Sequence, residues 1–157
     1  MFIGHLPAGY LGLVITSPHT PWAKPIIAAT LLGSIAPDLD MLWFTFIDST
    51  IHHHHLITHR PFTWILTLLL GLTFRSKLIC AFAIGALLHC TLDTIAGSVM
   101  WLWPINDAAF HLVTVQATHS HWALSFLNHW TFKVEIALTL LATIIFILRR
   151  NRFNRTS

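Results

Sequence analysis

The sequence predicts an all-α, polytopic membrane bundle of about five spans, with broken helices around a buried metal site. Three observations carry this. Of 157 residues, 55% are hydrophobic and only 10% charged, more apolar than a soluble core of this size needs. Basic residues segregate: Lys24, the Arg75–Lys77 turn and the tail Arg149, Arg150, Arg152 and Arg155 mark one side of a membrane plane. All the acidic residues, and every histidine except His19, fall on the other side of that plane or within its apolar stretches.

The apolar segments follow in order. Ala8 to Thr16 is flanked by Pro7, Pro18 and Pro21. Pro25 to Ile47 is apolar but broken at Ala36-Pro37-Asp38-Leu39-Asp40, because proline ends a helix. His52 to Arg60 is a histidine-dense connection, and Pro61 to Phe74 a short span closed by Arg75-Ser76-Lys77. Leu78 to Pro104 is a long span, Ile105 to Asn128 an aromatic, His-rich loop, and Trp130 to Leu148 the last span. Residues 1–148 read as one membrane-embedded domain and 149–157 as a basic cytoplasmic tail.

The positive-inside rule puts the basic markers in the cytoplasm, so the spans alternate from an outer N-terminus to a cytoplasmic C-terminus. Counting about 1.5 Å per helical residue from the nearest inner charge gives a depth for each polar group. Asp38, His59, His89, Asp93 and Glu135 all come out about 18–24 Å deep, in one layer toward the periplasmic side.

Several classes are excluded. The net charge of +3 comes largely from the tail, and no basic stripe with interleaved aromatics is present, so no nucleic-acid partner is expected. Met1 to Thr16 has neither a basic n-region nor a small-residue cleavage site, which argues against a cleaved signal peptide. Cys80 and Cys90, ten residues apart on one apolar segment, would be about 15 Å apart on a helix, too far for a disulfide. Gly-rich phosphate loops, nucleophile elbows, HExxH and CxxC arrays are all missing.

The polar groups within the apolar zone are the functional candidates, since an ionisable side chain in hydrocarbon costs several kcal/mol unless paired or coordinated. His89 and Asp93 stand at i and i+4 on one helix face, spaced either to bind one metal or to pair for helix packing. Asp38 and Asp40 follow Pro37 on non-helical backbone, which a membrane tolerates only inside protein or around water. Asp40 reads as a ligand, a proton relay or a turn aspartate. In His52-His53-His54-His55-Leu56-Ile57-Thr58-His59-Arg60, the candidate ligands are His54 and His59, with His52 and His53 peripheral. Arg60 is either an interfacial anchor or a clamp for phosphate oxygens. Glu135, deep in the last span, is expected to be protonated or to ligate. His111, His119 and His121 share a loop with Trp101, Trp103 and Trp122 and read mainly as interfacial belt residues.

His5, the Gly33-Ser34-Ile35-Ala36-Pro37-Asp38-Leu39-Asp40 run, His54-(x3)-Thr58-His59, His89-(x3)-Asp93, Gly97 and Trp103-Pro104 together resemble the YdjM-type, LexA-regulated inner-membrane metal-dependent hydrolases. The resemblance covers nearly the whole chain. Where many members read His-Arg-Gly-x-Thr-His-Ser, this chain reads His54-His55-Leu56-Ile57-Thr58-His59-Arg60, with the first arginine displaced. The family is in turn similar to the zinc-dependent phospholipase C fold, an all-α bundle holding a zinc cluster. That likeness implies a ligand order of His5, Asp38, His59, His89, Asp93, then His129 and Glu135.

The expectation is therefore a membrane-embedded hydrolase of a lipid or lipid-linked phosphoester. Two or three divalent ions, zinc first, would be held by His5, Asp38, His54, His59, His89, Asp93 and His129, with Asp40, Arg60 and Glu135 in catalytic roles. The alternative is a non-catalytic divalent-metal carrier, sensor or metal-stabilised scaffold.

Overall fold

A computed structural model describes residues 3–17, 23–47 and 53–154. His52 and Arg155 lie outside these, as do the side chains of His53 and Arg152. Seven α-helices account for most of the chain: α1 (His5–Thr16), α2 (Lys24–Gly33), α3 (Asp40–Phe46), α4 (Pro61–Thr73), α5 (Lys77–Ala96), α6 (Trp122–Asn128) and α7 (Trp130–Asn154). The described residues contain no strand, only an isolated antiparallel bridge between Val99 and Phe110.

Local chemistry sets the helix ends. Pro25 and Pro61 occupy the first turns of α2 and α4, where the missing N–H costs nothing. The Ser76 hydroxyl caps α5 by accepting from the Ile79 N–H at 3.4 Å. At the α4–α5 turn, Arg75 takes φ 52°. There the Ser76 N–H reaches the Gly71 carbonyl at 2.8 Å and the Arg75 N–H the Leu72 carbonyl at 3.1 Å. These paired bonds form a Schellman closure with arginine in the position glycine usually takes. At the far end of α5, Leu112 and Val113 donate to the Thr94 and Ile95 carbonyls, both at 2.8 Å, so the loop satisfies acceptors that the helix end leaves open.

Helix length supports fewer full crossings than the expected number of about five. Lys77–Ala96 and Trp130–Asn151 are long and apolar enough to cross a membrane, and the pair Lys24–Gly33 with Pro37–Phe46 forms a third candidate bent by 53°. α1 and α4, with 12 and 13 residues, reach only about 18–20 Å against a hydrocarbon core of about 30 Å. The proline at 37 does break the second segment as expected, but as a short 3₁₀ turn, Pro37–Leu39, that leads directly into α3. The long span ends at Ala96, not Pro104, and the loop after it contains α6. α7 runs on without a break through Arg149 and Arg150 to Asn154.

α2 and α5 run in the same direction and touch backbone to backbone. A Cβ on Gly33 would come within 2.0 Å of the Phe82 carbonyl oxygen, and one on Gly85 within 2.2 Å of the Thr30 carbonyl oxygen. Small residues are how membrane helices approach this closely. α4 returns antiparallel against α5, with Gly71 over Cys80, and Trp64 packs on Ala86, Cys90 and Val99. Both cysteines are free thiols. α1 lies along α7: Glu135 meets Ile3 and Gly4 at one end, and Arg149 meets Ser17 at the other.

Gly85→Val should force α2 from α5, costing about 1–3 kcal/mol or more as overpacking, and should be read as a lowered Tm in detergent. Gly12→Ala, whose Cβ would find only Leu88 at 3.8 Å, is the matched substitution expected to leave Tm unchanged.

Candidate metal centre

The α2–α5 contact fixes the centre. Because Gly33 and Gly85 admit no side chain, the next residue, Ser34, is pressed against α5 and fully buried. Its carbonyl lies 2.9 Å from His89 Nδ1. A carbonyl only accepts, so Nδ1 carries the proton and Nε2 is left with a lone pair facing inward. The bend after Pro37 then swings Asp38 and Asp40 over this end of α5.

His59 arrives from the opposite side on a 3₁₀ turn, Ile57–His59, held by the Trp64 indole N–H on the Thr58 carbonyl at 2.7 Å. Its Nδ1 pairs with Asp40 Oδ2 at 2.7 Å, and the Thr58 hydroxyl donates to the same oxygen. His59 Nε2 therefore also points inward. Around this buried imidazole the carboxylates of Asp38, Asp40 and Asp93 create a negative potential. That potential attracts a cation.

Asp38, His59, His89 and Asp93 each turn one donor atom to a common point, all four within 4.8 Å of one another. The two Nε2 atoms are 3.3 Å apart. Asp93 Oδ2 lies 3.4 Å from His59 Nε2 and 3.0 Å from His89 Nε2, and Asp38 Oδ1 lies 3.7 and 3.6 Å from the same nitrogens. A tetrahedral ion with ligands at about 2.0–2.1 Å has donor–donor edges of about 3.3–3.4 Å. Two imidazoles and two carboxylates, with outer partners already fixing both rings, fit zinc and its first-row neighbours. This buried Asp/His/His/Asp group could bind a metal ion.

The other sequence candidates fall around this group. His5 stacks on His89, ring centroids 3.7 Å apart at 13°, and its Nε2 is 3.2 Å from the second oxygen of Asp93, Oδ1. His54 Nε2 stands 3.8 Å from Asp93 Oδ2, in space that exists because residue 97 is glycine: a Cβ there would lie 2.4 Å from the His54 ring. Asp40 orients His59 from behind. Arg60 lies over the Trp103 ring at 4.4 Å and donates through Nη2 to the His55 carbonyl.

Two expectations change. Glu135 is fully buried, but its Oε2 accepts the Ile3 and Gly4 N–H groups at 2.7 and 3.1 Å and is not among the converging donors. His129 does not join them either. It precedes α7 in extended conformation, and its Nδ1 bonds the Thr131 hydroxyl at 2.9 Å. Of the belt histidines, His111 bonds Thr114, and the His121 side chain caps α6.

The partners that the sequence reading did not single out are the Ser34 carbonyl and Thr58. Ser34 acts through its backbone and leaves no side-chain signal. Thr58 stood inside a quoted motif without an assigned role.

The fold and site together define a helical membrane protein with a buried histidine–aspartate cluster between its packed helices. The YdjM inner membrane protein family model matches residues 1–153, and the chain belongs to that family. Comparisons with curated proteins and with solved structures find no match.

Asp93→Ala should abolish high-affinity metal retention, measured by elemental analysis after dialysis. Asp40→Ala should keep some retention but weaken affinity about 10–100-fold, as the loss of an outer-shell partner does. Equal losses in the two variants would make Asp40 itself a ligand.

Proposed function

We propose that this protein is a membrane-embedded metal-dependent hydrolase that cleaves a phosphoester of a lipid or lipid-linked substrate. The observation that carries the reading is the unequal burial of the four donors. His59, His89 and Asp93 are 0–1% exposed, whereas Asp38 is 32% exposed. One edge of the group is open, as a catalytic metal site requires and a structural one does not. That edge lies at the α2–α3 bend, beside the exposed side chains of Leu39, Leu42 and Trp43. Such a surface suits an amphiphile arriving sideways from the bilayer.

The donor set favours zinc. A further ion, expected from the sequence, would draw on His5 and His54 at the two oxygens of Asp93. When bound, a divalent ion would supply Lewis-acid polarisation of a phosphoryl oxygen and acidify a water toward neutral pH. The chain's residues do the rest. Asp40 holds His59 in register, and Asp38 borders the entrance. Arg60, steadied on Trp103, offers its remaining N–H groups to phosphate oxygens.

The placement follows the charges. The basic ends of α2, α5 and α7 lie in the cytoplasm, and the cluster lies in the outer half of the inner membrane, facing the periplasm. About five passages, with α1 and α4 as short ones, keep this alternation.

A metal-stabilised scaffold, carrier or sensor is the second reading, favoured by the complete burial of three of the four donors. Incubating protein in lipid nanodiscs with lipid extract separates the two. The hydrolase should release phosphate or a phosphorylated headgroup, stop on chelation and resume when zinc is restored, with Asp93→Ala at background. Stoichiometric metal without release of either product establishes the scaffold or carrier.

A further inference from the structure

We propose that Glu135 is a positioning residue that holds the two amides leading into α1, those of Ile3 and Gly4, and, through His5, sets the orientation of the Asp93 carboxylate. The clamp stands on hydrogen bonds alone; its effect on metal binding rests on the reading of the centre given above.

A carboxyl group fully buried in an apolar span must find donors. Glu135 finds them in backbone 131 and 132 residues away, the N–H groups of Gly4 and Ile3. α1 needs this contact. Its N-cap is Gly4, it has no side-chain cap bond, and its first turn contains no acidic residue, so what fixes its start is Glu135 of α7, which holds the N-cap amide and the one before it. At the other end, both Nη atoms of Arg149 donate to the Ser17 carbonyl at 3.3 Å. Glu135 and Arg149 are 14 residues apart on α7, and Gly4 and Ser17 are 13 apart; at about 1.5 Å per residue the two spacings match. α1 cannot slide along α7 without breaking both ends.

His5 is the first residue of α1, directly after the clamped amides. Its ring lies flat on His89, and its Nε2 engages Asp93 Oδ1 at 3.2 Å. The other oxygen of Asp93, Oδ2, faces the nitrogens of His59 and His89. Fixing one oxygen fixes the rotation of the carboxylate, the usual service of an outer-shell partner. Among the described residues α7 contributes no donor to the converging group, so Glu135 acts at one remove.

The test uses full-length protein in detergent, with amide hydrogen exchange over Ile3 and Gly4 and titration with Co(II) alone. Glu135→Ala should speed exchange of these amides about tenfold, whereas Glu135→Gln, whose amide oxygen accepts the same N–H groups, should retain most of the protection. Should the alanine variant not accumulate, Glu135→Asp, too short to reach, carries the same comparison. His5→Ala and Glu135→Ala should each weaken Co(II) binding about 10–100-fold. The double variant should bind no worse than His5→Ala, and the Co(II) absorption bands at saturation should keep their wild-type shape in Glu135→Ala. Unchanged exchange in both Glu135→Ala and Glu135→Asp overturns the clamp. Additive losses overturn the route through His5, and altered bands make Glu135 a ligand. If the wild type binds no Co(II) while the amides still depend on Glu135, the metal centre falls and the clamp is upheld.

Discussion

Two imidazole nitrogens, His59 Nε2 and His89 Nε2, face each other 3.3 Å apart while the opposite nitrogen of each ring is committed elsewhere, to Asp40 and to the Ser34 carbonyl. Neither ring can turn away without stranding a buried polar group, at a cost of about 1–3 kcal/mol. Lone pairs held this close, with Asp38 and Asp93 beside them, repel unless positive charge lies between. A proton relieves the repulsion partly, by charging one ring. A divalent cation relieves it for both rings and both carboxylates together.

Most of the surrounding architecture keeps that arrangement from relaxing. The backbone contact at Gly33 and Gly85 leaves α2 and α5 no slack, so the Ser34 carbonyl stays on His89. Trp64 serves two purposes, packing on α5 and tying down the Thr58 carbonyl just ahead of His59. Thr58 completes the support of Asp40. The lipid-facing surfaces, by contrast, carry exposed leucine, isoleucine and phenylalanine on α3, α4 and α7. There the bilayer is the packing partner and shape is less constrained.

The sequence revealed the site better than the spans. Asp38, His59, His89, Asp93 and Glu135 were placed in one layer because each is tied to a basic helix end by a countable rise; the structure brings the first four together and sets Glu135 against Ile3 and Gly4 instead. The i, i+4 spacing of His89 and Asp93 needed no tertiary information. His129 entered through a distant likeness in ligand order, and Glu135 through that likeness and its depth; neither order nor depth specifies which way a side chain faces. The crossings were less legible, because hydropathy reports apolar length, not helix length: among the described residues two helices, or three with the bent pair, are long and apolar enough to cross. α1 and α4, with 12 and 13 residues, are shorter than a full crossing, and α4 closes on Arg75 without a glycine. Asp40 was legible as a residue but not as a role, since its task is set by His59, nineteen positions away.

The shared direction of α2 and α5 has an electrostatic consequence. Both helices turn their C-terminal ends toward the cluster, and the aligned peptide dipoles of a helix leave that end partly negative, by up to about half a charge. Two such ends, converging with three aspartates, make the cavity repel anions on its own. A phosphate-bearing molecule would meet a favourable field there only after a cation had entered. Occupancy is thereby ordered, cation before anion, by the way the backbone runs.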